Sequence, residues 1–390
     1  MTASVEVNAE SKRAAGAARI AAVRAEMEER GLDLLLVCGN GRHHFIGANL
    51  AWWLSGVRQL GRDMVVALPR DGEPVLVASP RWDAARASRR GWISDVVAVD
   101  DVAVAVDELV RARGWRAART GVAGRAAASS ELAAALVDAM EREPEEADDA
   151  VLAVASTHDE WSLACIERSV EIAEAGYRHM LDVARLGMPE YELAAAADAH
   201  MRAAGADDNF LLISASQHNL AVHAPTDREL QPGDVILGEI SPSVEGQFAQ
   251  ICRSAVVGEP NSMQVEVYGV LLEAYQAGFE LCGPGVSVPD VTRAVNAVVT
   301  KAGYERYTKP PYMRTRGHAM GLGTLYPADV SERSEVVLKP GMAFVLHPNQ
   351  YFPGPGYFLC GDQVVITEDG ARALSPGLPT LDTIAGTVAA

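Results

Sequence analysis

Ionisable side chains stand where this chain is otherwise most apolar. Glu239 lies in DVILGEIS, His347 in AFVLHPNQY, His318 in the glycine-flanked TRGHAMGLG, and His223 in LAVHAPTD, where Pro225 predicts a turn. An ionised carboxylate in a buried strand is costly unless it is paired or hydrogen-bonded, and the same burial tunes its pKa. Imidazole titrates near neutrality and can carry protons. One carboxylate with three imidazoles therefore suits general acid–base chemistry. Plainer readings stand beside this one. A lone buried histidine is commonly a satisfied core residue, Glu239 could be half of a structural ion pair, and Cys252 and Cys360 read as small buried hydrophobes.

An internal repeat changes the weighing. GMPEYELAAAADAHMRAAG runs from Gly187 to Gly205, and GVSVPDVTRAVNAVVTKAG from Gly285 to Gly303, an offset of 98 residues. QPGDVILGEI at 231–240 matches KPGMAFVLHP at 339–348, an offset of 108 that pairs Glu239 with His347 and Cys252 with Cys360. Two equivalent strand positions that both carry an ionisable group are hard to explain as packing. Each half reads helix, helix, then strands. Two such halves predict a curved antiparallel sheet with helices outside and a pocket on its inner face.

Ahead of the repeat, Arg19–Arg30 has helical spacing with Ile20, Val23 and Met27 on one face, ended by Gly31. LDLLLVCG, MVVALP and PVLVAS follow as strands, the last two joined by RDGE. The expectation is an α/β domain over 1–155 and an α+β domain over 156–390.

Bulk composition narrows the classes. Asp and Glu number 52 against 34 Lys and Arg, a net charge of -18, which argues against a nucleic-acid partner. Five cysteines without a CxxC pair suggest free thiols in a reducing compartment. No apolar run approaches the roughly 18 residues of a membrane span, and the N-terminus has no apolar signal core, so a cytoplasmic protein is expected.

Several blocks carry a family resemblance. GLDLLLVCGN, HAPTDRELQPGDVIL, CRSAVVGE, RGHAMGLG, LKPGMAFVLHPNQYFP and DQVVITEDG resemble successive segments of the creatinase and aminopeptidase P superfamily, whose fold is called pita-bread. The resemblance implies a homodimer acting on a small-molecule substrate. Peptidases of that superfamily hold two metals with two Asp, one His and two Glu. The matching positions here read Glu239, Gln250, His318, His347 and Gly361. Creatinase and ectoine hydrolase are similar branches that work without metal. YPADVSER, beginning at Tyr326, resembles a stretch of ectoine hydrolase, and His223 matches the catalytic histidine of creatinase, whose two substrate-binding Glu match Cys252 and Cys360.

The resulting expectation is a hydrolase or lyase without cofactor, cleaving a C–N bond in a small polar non-peptide compound. Glu239 is nucleophile or base, His223 the proton donor, and His318 and His347 bind or polarise the substrate. Gln250, Cys252, Cys360 and Tyr326 are substrate contacts. Three alternatives remain. A thiolate of Cys252 or Cys360 could act as nucleophile. One Fe, Mn or Zn ion could sit on Glu239, His318 and His347. The domain could instead be a non-catalytic binding scaffold.

Overall fold

The computed structural model describes residues 8–41, 45–323 and 329–385, which fall into two compact units, 1–164 and 165–390. The first unit opens with α1 (Ala9–Arg30), longer than the apolar spacing predicts. Asn8 starts it early: its side chain accepts the Glu10 and Ser11 amides while Ser11 returns a bond to the Asn8 amide. Gly31, at φ 68°, ends it in the left-handed region.

There follow β1 (Leu34–Gly39), α2 (Leu50–Ser55), β2 (Met64–Pro69), β3 (Val75–Ala78), α3 (Ala84–Arg90) and β4 (Asp95–Ala98). Then come α4 (Val102–Ala112), β5 (Thr120–Ala123), α5 (Ser130–Asp138), β6 (Glu145–Glu146) and α6 (Asp148–Ala155). The strands form a mixed sheet in the order β4-β3-β2-β1-β5-β6. Its centre is the apolar run of β1, buried throughout, with β2 antiparallel on one side and β5 parallel on the other. Trp52 and Trp53 are buried in this unit, and Arg19 stacks over Trp53.

The units divide inside α7 (Glu160–Val183), a little beyond the expected boundary. The first turn of α7 belongs to the first unit because Arg19 donates to Asp159 at 2.7 Å and to Ser162 at 2.7 Å, and Trp161 meets Trp92 edge-on.

The second unit realises the repeat. Its first half is α7, α8 (Glu190–Ala203), β7 (Asp208–Ser216), β8 (Val235–Val244), β9 (Gln247–Phe248) and β10 (Ile251–Val257). Its second half is α9 (Ser262–Leu281), α10 (Val288–Val299), β11 (Gly317–Ala319), β12 (Ala343–Leu346), the β13–β14 hairpin (Gln350–Phe352, Gly356–Phe358), β15 (Asp362–Thr367) and β16 (Gly370–Ala373). A last strand, β17 (Leu381–Ile384), returns to the first half and pairs parallel with β10, a departure from the all-antiparallel expectation.

The sheets run β17-β10-β8-β7 and β11-β12-β15-β16, joined by single bridges from Cys252 to Gly361 and from Phe248 to Gly321. Arg253 secures the first of these joints. It donates to the carbonyls of Cys252 (3.1 Å) and Gly361 (2.7 Å) and to the carboxylates of Glu174 (2.5 Å) and Asp362 (2.6 Å), all of it buried. No helix of the described residues is long and apolar enough to cross a membrane.

Candidate active site

Glu239 stands in the middle of β8, opposite Cys252 on β10 and Leu212 on β7. Its neighbours along the strand are buried while it keeps partial exposure. Burial raises its pKa from the ordinary 4.5 to about 7, opposed by a hydrogen bond from Gln250. Asn349 donates its side-chain amide to Glu239 Oε1 at 3.2 Å. The Asn349 Oδ1 accepts the Cys360 amide at 3.0 Å, which sets the orientation of that side chain. Gln250 is buried, reaches the Cys252 sulfur at 3.6 Å, and leaves its Oε1 without a partner among the described residues.

A second group is a histidine pair. His318 on β11 and His347 at the end of β12 lie with ring centroids 5.2 Å apart at 68°. His318 Nδ1 faces the Ala319 carbonyl at 3.1 Å. His347 Nδ1 is buried without a partner among the described residues. Burial lowers both pKa values, that of His347 to about 3, with His318 adding to the shift. Both rings are thus neutral near pH 7 and can polarise or accept, but neither offers a positive charge to a substrate carboxylate. The run 347–349 links this pair to Asn349 and so to Glu239.

The other expected residues are placed differently. His223 is exposed in the loop after β7, its Nδ1 2.8 Å from the Ala224 carbonyl, and no contact with the buried group is observed. Cys252 faces Glu239 across the strands, buried, with its thiol held well above the ordinary pKa. The Cys360 thiol instead meets Tyr268 of α9, on the helix side of the sheet, and burial pushes it up to about 12. Burial outweighs the downward pull of Arg253 on both thiols, so both stay protonated near pH 7 and neither is a ready thiolate nucleophile. Tyr326 lies outside the described residues.

Two residues were not anticipated from the sequence. Asn349 had a signal: the offset of 108 makes it the equivalent of Ser241, two residues past Glu239. Tyr357 on β14 sits close enough to Glu239 for that carboxylate to help raise its phenol, after burial, and nothing in the sequence separated it from other tyrosines.

The paired cations implied by the resemblance do not fit this donor set. Gln250 is neutral and Gly361 has no side chain. A Cβ at 361 would come within 2.5 Å of the His347 Cβ and of the Leu346 carbonyl oxygen, so no carboxylate can stand there without moving that backbone. Among the described residues no group of three His, Cys, Asp or Glu side chains is arranged to hold a metal ion, which also separates Glu239 from the two imidazoles as a single-ion site.

Helix pairs with a duplicated sheet, following a mixed α/β unit along the chain, with ionisable groups at equivalent strand positions, define a two-domain protein of the pita-bread class. The chain belongs to metallopeptidase family M24, whose model matches residues 164–368, and carries a creatinase/prolidase N-terminal domain over 19–154. Among its relatives are an Xaa-Pro dipeptidase of Pyrococcus furiosus, 30% identical over 54% of this chain and 60% of that protein. A probable dipeptidase PepE of Mycobacterium tuberculosis is 32% identical over 43% of this chain and 44% of that one. The chain thus spans three fifths or less of the length of these curated relatives. Two solved structures share its fold. Dipeptidase PepE from Mycobacterium ulcerans has a TM-score of 0.78 at 24% identity, covering 95% of this chain and 98% of that one. The prolidase from Pyrococcus horikoshii has a TM-score of 0.80 at 22% identity, covering 93% and 99%.

These comparisons correct three expectations. A non-peptide substrate, a hydrolase of the creatinase kind, and independence from any cofactor are overturned by a metallopeptidase family and by relatives named Xaa-Pro dipeptidase and probable dipeptidase, which point to peptide bonds and metal. The reason lies in what was weighed. The expectation rested on five ligand positions, whereas the family is defined by the frame of strands and turns across the whole domain. The chain keeps that frame with an altered set of donors.

Proposed function

We infer that this chain is a hydrolase of the amide bond in a small dipeptide of the Xaa-Pro kind, acting at Glu239. The observation that carries the reading is a half-buried carboxyl with a pKa of about 7, held by the Asn349 amide inside the frame of family M24. A carboxyl poised near neutrality is present in both forms, so it can accept a proton from attacking water and return one to the leaving nitrogen. Asn349 holds the carboxylate in one orientation. The neutral His318 and His347 are suited to contact the substrate carbonyl, and Gln250 supplies an amide beside Glu239. No step is routed through a metal, since the residues present do not form the centre that the family implies. A homodimer, implied by the resemblance, belongs to the same proposal.

The test is release of proline from a panel of Xaa-Pro dipeptides by the purified protein, alone and with Mn²⁺, Co²⁺ or Zn²⁺ added in turn. Release is expected, and Glu239→Gln should lower kcat by about 100-fold or more, the usual scale for losing a general base. No proline from any dipeptide under any of these conditions sinks the proposal.

A further inference from the structure

Arg316 is among the largest fully buried side chains of the protein, with 1% exposure, and among the described residues no carboxylate pairs with it. Its hydrogen bonds go to neutral oxygens. Nε donates to Asn296 Oδ1 (2.8 Å), Nη1 to the carbonyls of Pro348 (2.6 Å) and Asn349 (3.2 Å), and Nη2 to Gln350 Oε1 (3.0 Å). Asn296 passes the contact on to the exposed Glu332 at 2.7 Å. A cation placed in the interior without a direct counter-ion is expensive, and an apolar side chain would fill the space at lower cost. What the guanidinium adds is a planar fork that grips several oxygens at once.

Those oxygens belong mainly to one turn. Residues 348 and 349 lie between β12, which ends beside His347, and the β13–β14 hairpin, which Gln350 opens, and this turn carries the Asn349 amide to Glu239. Gln350 is tied down further, donating to the carbonyls of Tyr307 (2.8 Å) and Tyr351 (3.0 Å). The main chain of Arg316 also accepts the His347 amide at 2.9 Å, so both ends of the run 347–350 are fixed from one residue. The charged and titratable groups facing Arg316 are Glu332, Tyr357 and His347; those facing Glu239 are Cys252 and Tyr357.

We propose that Arg316 is a positioning residue for this site: its guanidinium, clamped on the 348–350 turn, holds the Asn349 amide against the Glu239 carboxylate. The proposal rests on Glu239 being the working group of the hydrolase, but its test needs no substrate and so stands or falls separately.

The experiment follows the side-chain amide of Asn349 by NMR in protein labelled with ¹⁵N-asparagine, the resonance being assigned by its loss in Asn349→Asp. Hydrogen exchange of that amide is compared with Asn219, whose side chain donates to the Val235 carbonyl of β8 at 2.8 Å and takes no bond from Arg316. In the native protein both should be protected. In Arg316→Met, protection at Asn349 should fall by about tenfold or more relative to Asn219. Arg316→Lys should fall as well, because an ammonium keeps the charge but cannot span three oxygens. A purely structural role would lower both amides together. Equal loss at Asn219, or native protection in either folded variant, overturns the proposal. If Arg316→Met does not fold by circular dichroism, Gln350→Leu removes one arm of the clamp, and unchanged protection of Asn349 there overturns it equally.

Discussion

Glu239 shows how one side chain couples the site to stability. Its pKa rises from 4.5 to about 7 on folding, so the native state binds the proton more tightly than the unfolded chain. The stabilisation this gives is complete below about pH 4.5 and is lost as pH rises through about 7. Over that window the loss amounts to up to about 3 kcal/mol, discounted for the partial exposure of the group. Glu239→Gln mimics the protonated acid and cannot ionise. It should therefore be more stable than the native protein at pH 8, by up to about 3 kcal/mol in urea unfolding, with the difference disappearing near pH 4.5. Equal stability of the two at both pH values would show that Glu239 is ordinarily solvated. The sequence marked Glu239 because an acid in an apolar strand is conspicuous. It could not mark Arg316 or Tyr357, since each becomes significant only through partners far along the chain, Pro348–Gln350 for the one and Glu239 for the other.

At the scale of elements, the working part of the molecule is a joint. The sheets of the two halves meet at the Cys252–Gly361 bridge, and Arg253 holds β10 to the start of β15 there. Asp362 has no exposure and Glu174 is buried, so removing the guanidinium leaves two buried carboxylates without their cation. Arg253→Met should cost about 3–5 kcal/mol, the scale found when one partner of a buried ion network is deleted. Thermal and urea unfolding would measure it, and a cost below about 1 kcal/mol would mean that water replaces the arginine at the joint. The repeat was legible here because helix and strand periods recur at fixed offsets. α8 corresponds to α10, β8 to β12 and β10 to β15. The parallel return of β17 was not legible, because its four residues carry too little pattern to name a partner.

Across the whole molecule all five cysteines are buried, none of them in a disulfide, and they are distributed over both units. Burial raises the thiols of Cys38 and Cys282 to about 12. A thiol reagent such as Ellman's should therefore find none of them in the native protein and all five after denaturation under anaerobic conditions. Rapid native reaction of even one would show that a thiol reaches the surface. The expectation of free thiols came from the absence of paired spacings. Burial was one reading of Cys252 and Cys360 from the sequence, whereas that of Cys165 and Cys282 came only with the fold.

The sequence by itself determined the frame: an apolar central strand behind a capped helix, two equivalent helix–helix–strand halves, and the acid at 239 answered by the histidine at 347. Such features are written in local periods and in repeats, which survive without knowledge of long-range contacts. Only the tertiary structure decided which of the polar groups share a space. It left His223 exposed with Nδ1 against the Ala224 carbonyl, set the Cys360 thiol against Tyr268, brought in Asn349 over 110 residues of chain, and closed position 361 against any side chain. The physical reason is that a hydrogen bond or a clash depends on ångström distances between strands, and those distances are set by the register of the sheets.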